Sequence, residues 1–142
     1  MEKLLSLKAV VSNEADKTSG QATIYLLEES SKTLLPILVD VHSAESIIIA
    51  QQNIEFPRPH THDLVKRLLG CFGARLNDVL IYDLQDEIFY AYLRLSYKDQ
   101  ELEIDTRPSD AIAMAIRMSV PIVAKEEVLL RGGIKITENL VN

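Results

Sequence analysis

Hydrophobic and polar positions first follow the two-residue period of a β-strand. Apolar residues at positions 22, 24 and 26 alternate with their neighbours, so residues 21–28 predict a half-buried strand. The apolar-rich segments 2–11 and 34–41 predict strands before and after it. Because proline cannot donate a ladder hydrogen bond, Pro36 predicts that the third strand lies at a sheet edge or contains a bulge.

Helical spacing replaces this alternation after residue 42. Ser43 is the predicted N-cap of a first helix, which is apolar over much of its surface. Residues 61–72 predict a second helix with one apolar face, which ends near Gly70 and Gly73. The middle of the chain is therefore expected to be a pair of helices.

Strands then return and precede a last, apolar helix. Residues 79–84, 88–97 and 101–105 predict a three-stranded meander. Residues 108–118 predict a helix that is apolar nearly all round and therefore buried, and residues 121–142 add short elements and a tail. The order of strands, helices, strands and helix predicts an α+β fold, with helices packed on the sheet, in a single domain over residues 1–142.

The composition fits a soluble globular domain, since 47% of the 142 residues are hydrophobic and 25% are charged. No apolar run approaches a membrane span, and the first residues lack the apolar region of a signal peptide. The single cysteine, Cys71, excludes an intrachain disulfide and fits a reducing compartment. We therefore expect a cytoplasmic protein with no membrane partner, and we expect Cys71 in the core.

The net charge of −6 argues against a broad basic face for nucleic acid, because such binding depends on neutralising phosphates. It is compatible with an enzyme that meets nucleic acid transiently, since bound divalent cations reverse the local potential. Charge thus excludes one class of nucleic-acid binder and leaves metal-dependent enzymes open.

A short sequence motif, here called the Arg-Pro phrase, occurs twice, each time before a segment with helical periodicity. Residues 57–63 read Pro-Arg-Pro-His-Thr-His-Asp, and residues 105–110 read Asp-Thr-Arg-Pro-Ser-Asp. In both, an Arg-Pro step is followed by a hydroxyl residue and then by an aspartate. Proline suits the first turn of a helix, and a helix N-terminus attracts anions because its free N–H groups point outward. The two phrases therefore predict functional groups at two helix mouths, that is, at the N-termini of two helices.

The residue types in these phrases suit phosphate and metal chemistry. Arg58 and Arg107 can clamp a phosphate with their planar guanidinium forks. His62 can carry a proton or add an imidazole to a metal site. Hard oxygen ligands for Mg²⁺ or Mn²⁺ are available from three carboxylates, Asp63, Asp105 and Asp110.

A purely structural interpretation explains some of the same residues. Thr61 and Ser109 suit helix caps, while Asp63 and Asp110 compensate helix dipoles. The two arginines can pair with Asp105 or Asp110. However, these groups are concentrated within two six-residue stretches at element junctions, where functional residues tend to lie. The spacing does not match a zinc motif.

Weaker candidates lie elsewhere. Glu45 falls in the first turn of the first helix, where dipole compensation explains it, and His42 is expected in the loop before that helix. Tyr90, Tyr92 and Arg94 form an aromatic and basic stripe on one strand face. Such a stripe can stack nucleic-acid bases, but it is also typical of a half-buried sheet surface or a dimer contact.

The same residues carry a resemblance to the bifunctional nuclease domain family. It rests on Ala44-Glu45, Arg58-Pro-His-Thr-His-Asp-Leu, Phe89-Tyr-Ala-Tyr-Leu and Asp105-Thr-Arg-Pro-Ser-Asp-Ala-Ile-Ala, in that order, within a match over about residues 3–132. The resemblance implies an α+β domain with a mixed sheet, a homodimer, and a nuclease acting on DNA and RNA with metal assistance. The position of His60 is usually apolar in that family, so His60 is expected to be a local variation.

Two functions are compatible with these observations. In the first, the protein hydrolyses phosphodiester bonds of transiently bound nucleic acid, with Mg²⁺ or Mn²⁺ on the three aspartates. His62, Arg58 and Arg107 are then the predicted catalytic residues, and Thr61 and Ser109 join the arginines in binding substrate. In the second, the chain is a non-catalytic dimeric module for a phosphate-bearing small molecule or a protein partner, with structural Arg–Asp pairs.

Overall fold

The computed structural model describes residues 1–12 and 20–137. Within these ranges the strands are Glu2–Ser12 (β1), Gln21–Glu28 (β2), Thr33–Asp40 (β3), Arg75–Gln85 (β4), Ile88–Tyr97 (β5), Gln100–Thr106 (β6), Ile122–Lys125 (β7) and Ile134–Lys135 (β8). The helices are Val41–Gln51 (α1), Thr61–Phe72 (α2), Pro108–Met118 (α3) and Glu126–Gly132 (α4). The polar connection predicted after the first strand and most of the predicted tail lie outside the described residues.

The described strands form one sheet in the order β6-β5-β4-β7-β1-β2-β3-β8. The pair of β4 and β7 is parallel, and the other neighbouring pairs in this order are antiparallel. The parallel pair is joined by a long connection through α3, as parallel strands require, whereas the meander of β4, β5 and β6 uses tight turns. The predicted α+β fold with a mixed sheet is confirmed.

The two turns of the meander explain its register. Asp86 and Glu87 have φ of 50° and 67°, and Lys98 and Asp99 have φ of 48° and 62°. Two successive residues with positive φ are typical of type I′ turns, whose twist matches that of the flanking strands. The predicted turns at these positions therefore fix how β5 pairs on both sides.

The core lies between the sheet and the helices α1 and α3. Helix α3 buries five consecutive residues, 111–115, as its apolar pattern predicted. Its alanines lack bulk, so the helix packs closely on α1, β4 and β5. The largest fully buried side chains come from strands and helices alike, and include Ile24, Leu26, Leu35, Ile37, Ile47, Ile81, Leu95, Ile112 and Met114.

Local structure corrects three expectations. The N-cap of α1 is Asp40 rather than Ser43, because the Asp40 carboxylate accepts bonds from the Ser43 N–H at 2.9 Å and hydroxyl at 2.7 Å. As a result, His42 lies in the helix and not in a loop. Cys71 is exposed rather than buried, because α2 packs on the core through Val65 and Leu69 and Cys71 lies off that face.

The edge position predicted for the third strand holds only locally, because β8 lies outside β3 in the sheet. Within the described residues, β8 pairs with β3 only at Thr33 and Leu34, so Pro36 lies on the free side of β3. None of the helices in the described ranges has the length and hydrophobicity needed to cross a bilayer. The cytoplasmic location stays a prediction.

Candidate functional site at three helix mouths

Three helices begin at one pocket. The N-cap residues of α1, α2 and α3 are Asp40, His60 and Arg107, and all three line a cavity of about 470 Å³. The prediction that Thr61 caps α2 is wrong by one residue, since Thr61 is the first helical position. The remaining lining residues are His42, Ser43, Glu45, Ser46, Thr61, His62 and Asp110.

His62 connects all three helices. Its Nε2 lies 2.8 Å from Asp110 Oδ1 on α3, and its Nδ1 lies 2.6 Å from Ser46 Oγ on α1. The imidazole is largely buried, with 14% of the side chain exposed. Because an ionised carboxylate can only accept, the proton of a neutral ring lies on Nε2. Nδ1 then accepts a hydrogen bond from the Ser46 hydroxyl, so the hydrogen-bonded chain runs from serine to histidine to aspartate.

Arg107 completes the site on its solvent side. Its Nε and Nη2 donate to the two carboxylate oxygens of Asp110 at 2.7 and 3.0 Å, which is a bidentate pair. Its Nη1 lies 3.8 Å from Asp40 Oδ2, which is an ion pair without a hydrogen bond, so the N–H donors of Nη1 remain available toward the pocket. The hydrogen bond from His62 and the pair with Arg107 lower the pKa of Asp110 to about 2, although burial opposes this shift.

Asp63 belongs to a different contact. Its Oδ1 accepts from Arg117 Nε at 2.8 Å, and its Oδ2 accepts from the His60 N–H at 3.0 Å. Burial opposes ionisation of Asp63, but the bonds from Arg117 and His60 outweigh it and lower the pKa. Arg117 is 5% exposed and also donates to the Ser46 carbonyl at 3.1 Å. Asp63 is therefore held in a structural pair behind the pocket.

Asp105, Ser109 and Arg58 are separate from the His62 centre. Asp105 is exposed on β6 and accepts from the Tyr82 hydroxyl at 3.0 Å. With the buried Ser109 it lines a neighbouring groove of about 580 Å³, and Asp40 and Arg107 border both cavities. Arg58 is exposed and forms no hydrogen bond or ion pair with the part of the chain that the structure describes.

The predicted metal ligands do not come together. Asp63 is bound by Arg117, Asp105 by Tyr82, and Asp110 by His62 and Arg107, so each carboxylate has a different partner. Across residues 1–12 and 20–137, no group of three His, Cys, Asp or Glu side chains is arranged to hold a metal ion. The residues present do not fit a protein-built site for Mg²⁺ or Mn²⁺, and the metal stays a prediction.

Sequence reasoning missed three residues that build the site: Asp40, Ser46 and Arg117. Ser46 had a signal, because it is a hydroxyl residue directly before the run of isoleucines at 47–49. Arg117 is the one basic residue of the apolar α3, which is a second signal. Asp40 had none, since an aspartate at the end of a strand is an ordinary helix cap.

The weaker candidates have structural partners. Tyr92 stacks on Tyr82 at 3.9 Å between ring centroids. Arg94 is paired with Glu2 and Asp78 at 2.8 and 2.6 Å, so the cation of the predicted base-stacking stripe is neutralised. Glu45 lies 3.8 Å from His42 at the exposed rim of the pocket.

Comparison with known proteins gives relatives over most of the chain. A protein of Mycobacterium tuberculosis described as uncharacterized is 37% identical over 129 residues, which cover 91% of this chain and 77% of that protein. Bifunctional nuclease 2 of Oryza sativa subsp. japonica is 32% identical over 129 residues, with coverage of 89% and 40%. Bifunctional nuclease 1 of Arabidopsis thaliana is 28% identical over 127 residues, with coverage of 87% and 39%.

The chain therefore spans about two fifths of the length of these plant relatives. The sequence model of the bifunctional nuclease domain matches residues 24–137, well over half of the chain. This range contains both Arg-Pro phrases and every residue that lines the pocket. The predicted resemblance is confirmed, and the chain belongs to the bifunctional nuclease domain family.

Proposed function

We propose that this protein hydrolyses phosphodiester bonds of DNA or RNA at the pocket where α1, α2 and α3 begin. The observation that carries the proposal is the Ser46–His62–Asp110 chain of hydrogen bonds beside the free donors of Arg107. A histidine held by a carboxylate suits proton transfer, and a guanidinium suits phosphoryl oxygens. The plant relatives named bifunctional nucleases support the same activity.

Each side chain has a stated role in this proposal. His62 is the group that moves the proton, and Asp110 fixes its tautomer and orientation. Arg107 stabilises negative charge on the phosphoryl oxygens through Nη1. Thr61 at the pocket wall, Arg58 just before the α2 cap and Ser109 in the neighbouring groove contact the flanking substrate.

The charge of the pocket makes a cation useful to this reaction. Asp40, Glu45 and Asp110 face a single arginine there, so the lining is acidic. An incoming phosphate is repelled unless a cation offsets those carboxylates. Mg²⁺ commonly binds few protein ligands and keeps substrate phosphates and water in its shell. We therefore propose that Mg²⁺ or Mn²⁺ arrives with the nucleic acid.

A homodimer is the second part of the proposal. Leu64, Leu68 and Phe72 follow one another at four-residue steps on the outer face of α2, and they are 50%, 48% and 68% exposed. Exposed apolar stripes of this kind mark protein interfaces. Sedimentation should show a dimer that Leu68→Glu converts to a monomer. A wild-type monomer at micromolar concentration would remove the dimer from the proposal.

The ion pairs at the helix mouths favour one other function. Arg107–Asp110 and Arg117–Asp63 are the structural pairs expected of a non-catalytic module that binds a phosphate-bearing small molecule or a protein. That function predicts that Asp110→Asn lowers the melting temperature and that no variant changes any cleavage. The same assay separates the two functions.

The test is cleavage of labelled single-stranded DNA and RNA by purified protein with Mg²⁺, Mn²⁺ or EDTA. Asp110→Asn should lower cleavage by about 10²–10⁴-fold, the range for loss of acid–base catalysis. The matched control is Asp83→Asn, because Asp83 is a similarly half-buried aspartate paired with Arg131 at 2.8 Å and lies outside the pocket. Equal cleavage by both variants, or none by the wild type, would refute the proposal.

A further inference from the structure

We propose that Ser46 is the nucleophile of this site, activated by His62, so that cleavage passes through a covalent phosphoserine. The substrate in this statement rests on the function proposed above, whereas the reactivity of Ser46 does not. The geometry that points to it is the 2.6 Å separation between Ser46 Oγ and His62 Nδ1.

His62 has no ring nitrogen left for an attacking water. Nε2 is bound to the Asp110 carboxylate and Nδ1 to the Ser46 hydroxyl. A general base must lie within hydrogen-bond reach of the proton that it removes. In this arrangement the hydroxyl of Ser46 is the group within that reach, so the proton that His62 takes is the proton of Ser46.

Ser46 is held in the orientation that this role requires. It lies in the middle of α1, and its Oγ bonds across the pocket to a histidine on α2. The carbonyl of the same residue accepts from the buried Arg117 at 3.1 Å, and Arg117 also holds Asp63 on α2. The hydroxyl and the base that activates it are thus fixed relative to each other by one side chain. Ser46 lines the cavity together with Arg107, which can receive the phosphoryl oxygen.

The chemistry balances without a cofactor. Ser46 Oγ attacks phosphorus as His62 Nδ1 takes the hydroxyl proton, so an Oγ–P bond forms and the P–O bond to the departing sugar oxygen breaks. The proton on Nδ1 passes to that oxygen and leaves a hydroxyl end. Water then attacks the phosphoserine and gives a proton to Nδ1. As the Oγ–P bond breaks, Nδ1 returns that proton to Ser46 Oγ, which restores the hydroxyl and leaves the phosphate on the nucleic-acid end.

The competing role for Ser46 is to orient His62 while water attacks. Cleavage alone does not separate the two roles, because Ser46→Ala impairs both. A covalent probe does, since an orienting serine forms no adduct. An ethoxy fluorophosphonate is suitable: attack by Ser46 Oγ forms an O–P bond, breaks the P–F bond and releases fluoride, without any need for nucleic acid.

The experiment treats the intact protein with this fluorophosphonate and locates the adduct by peptide mass spectrometry. One phosphonyl group should appear on Ser46. It should be absent from Ser46→Ala and formed at least about 100-fold more slowly in His62→Ala, the loss expected without the base. Ser96→Ala is the matched control, because Ser96 is also a half-buried, hydrogen-bonded serine and lies away from the pocket on β5. Its labelling should equal that of the wild type.

A second variant, Ser46→Cys, covers the case in which the alanine variant does not fold. A thiol is close in size to the hydroxyl and can still bond to His62, so the packing of α1 is kept. Because sulfur is soft and polarizable whereas the phosphorus of the probe is a hard centre, the thiol should react poorly with it. The phosphonyl group should therefore be lost from position 46 in this folded variant.

Three outcomes overturn the proposal: no adduct on Ser46, an adduct that survives His62→Ala at the wild-type rate, or nucleic-acid cleavage by a folded Ser46→Ala variant at the wild-type rate. Labelling of Ser46 without any cleavage of DNA or RNA would instead support the nucleophile and refute the proposed substrate. Failure of the nucleophile and failure of the proposed function are therefore distinguishable.

Discussion

The N-termini of α2 and α3 carry the same Arg-Pro phrase, but its aspartates make different contacts in the two helices. Asp63 and Asp110 both occupy the third helical position after the N-cap. Asp110 faces the pocket, where His62 and Arg107 bind it. Asp63 faces away, where it caps His60 and neutralises the buried Arg117. Asp110 therefore takes part in the proposed chemistry, whereas Asp63 holds α2 against α3.

The difference arises from where each Arg-Pro step lies relative to its helix. Arg107 is itself the N-cap of α3, so its side chain reaches forward three residues to Asp110. Arg58 lies two residues before the cap of α2 and has no partner in the described residues. Matching residues in the two phrases therefore do not make matching contacts. A shift of two residues relative to the start of the helix places the arginine side chain beyond reach of the first helical turn.

The largest effect that tests this contrast is expected from Asp63→Ala. The change leaves the buried Arg117 with backbone carbonyls but no carboxylate partner, and it removes the acceptor of the His60 N–H, so the free energy of unfolding should fall by about 3 kcal/mol. Urea denaturation measures this fall. Cleavage by the folded variant at low temperature should fall far less than in Asp110→Asn, because the direct Ser46–His62–Asp110 hydrogen bonds do not involve Asp63 even though its pair with Arg117 is lost. Loss of metal-stimulated cleavage in a folded variant would instead return Asp63 to the predicted metal ligands.

An intermediate effect is expected from acid. The pKa of Asp110 falls from 3.8 to about 2 on folding, so its ionised form stabilises the folded state above about pH 4. That contribution, about 2 kcal/mol, is lost as the pH drops through about 2. Asp110→Asn should therefore be less stable than the wild type at pH 5, and the gap should close between pH 4 and 2. A gap that does not change with pH would contradict the described network.

The smallest effect is expected from Arg58→Ala. Because Arg58 has no partner among the described residues, its removal should leave the melting temperature unchanged. If Arg58 contacts substrate phosphate, KM should rise about two- to five-fold at low salt, which corresponds to less than about 1 kcal/mol for an exposed charge. The control is Arg67→Ala, which removes a second exposed arginine, this one on α2, and should leave KM unchanged. Equal changes in the two variants would place Arg58 outside the site.

Much of the fold could be predicted from local pattern. The alternation over residues 21–28, the two turns of the meander and the apolar helix at 108–118 were all confirmed. These features depend on neighbours within a few residues, so the sequence shows them directly. The exposure of Cys71 was missed because it depends on which face of α2 packs on the core. The cap of α1 was misplaced for a local reason, since Asp40 and Ser43 are both good N-cap residues and the Asp40 carboxylate takes the bonds from Ser43.

The sequence by itself determined the secondary-structure elements and placed the two Arg-Pro phrases at the N-termini of helices. The mixed β-sheet was implied by its resemblance to the family. Only the tertiary structure decided which residues of these elements meet: His62 with Asp110 across 48 positions, and Ser46 with His62 across 16. The physical reason for this division is that local sequence fixes the position of a residue along its own helix. Contacts between helices depend instead on which helix faces pack together. The packing of α1 and α2 against α3 brought Ser46 to the histidine and left Asp63 with Arg117.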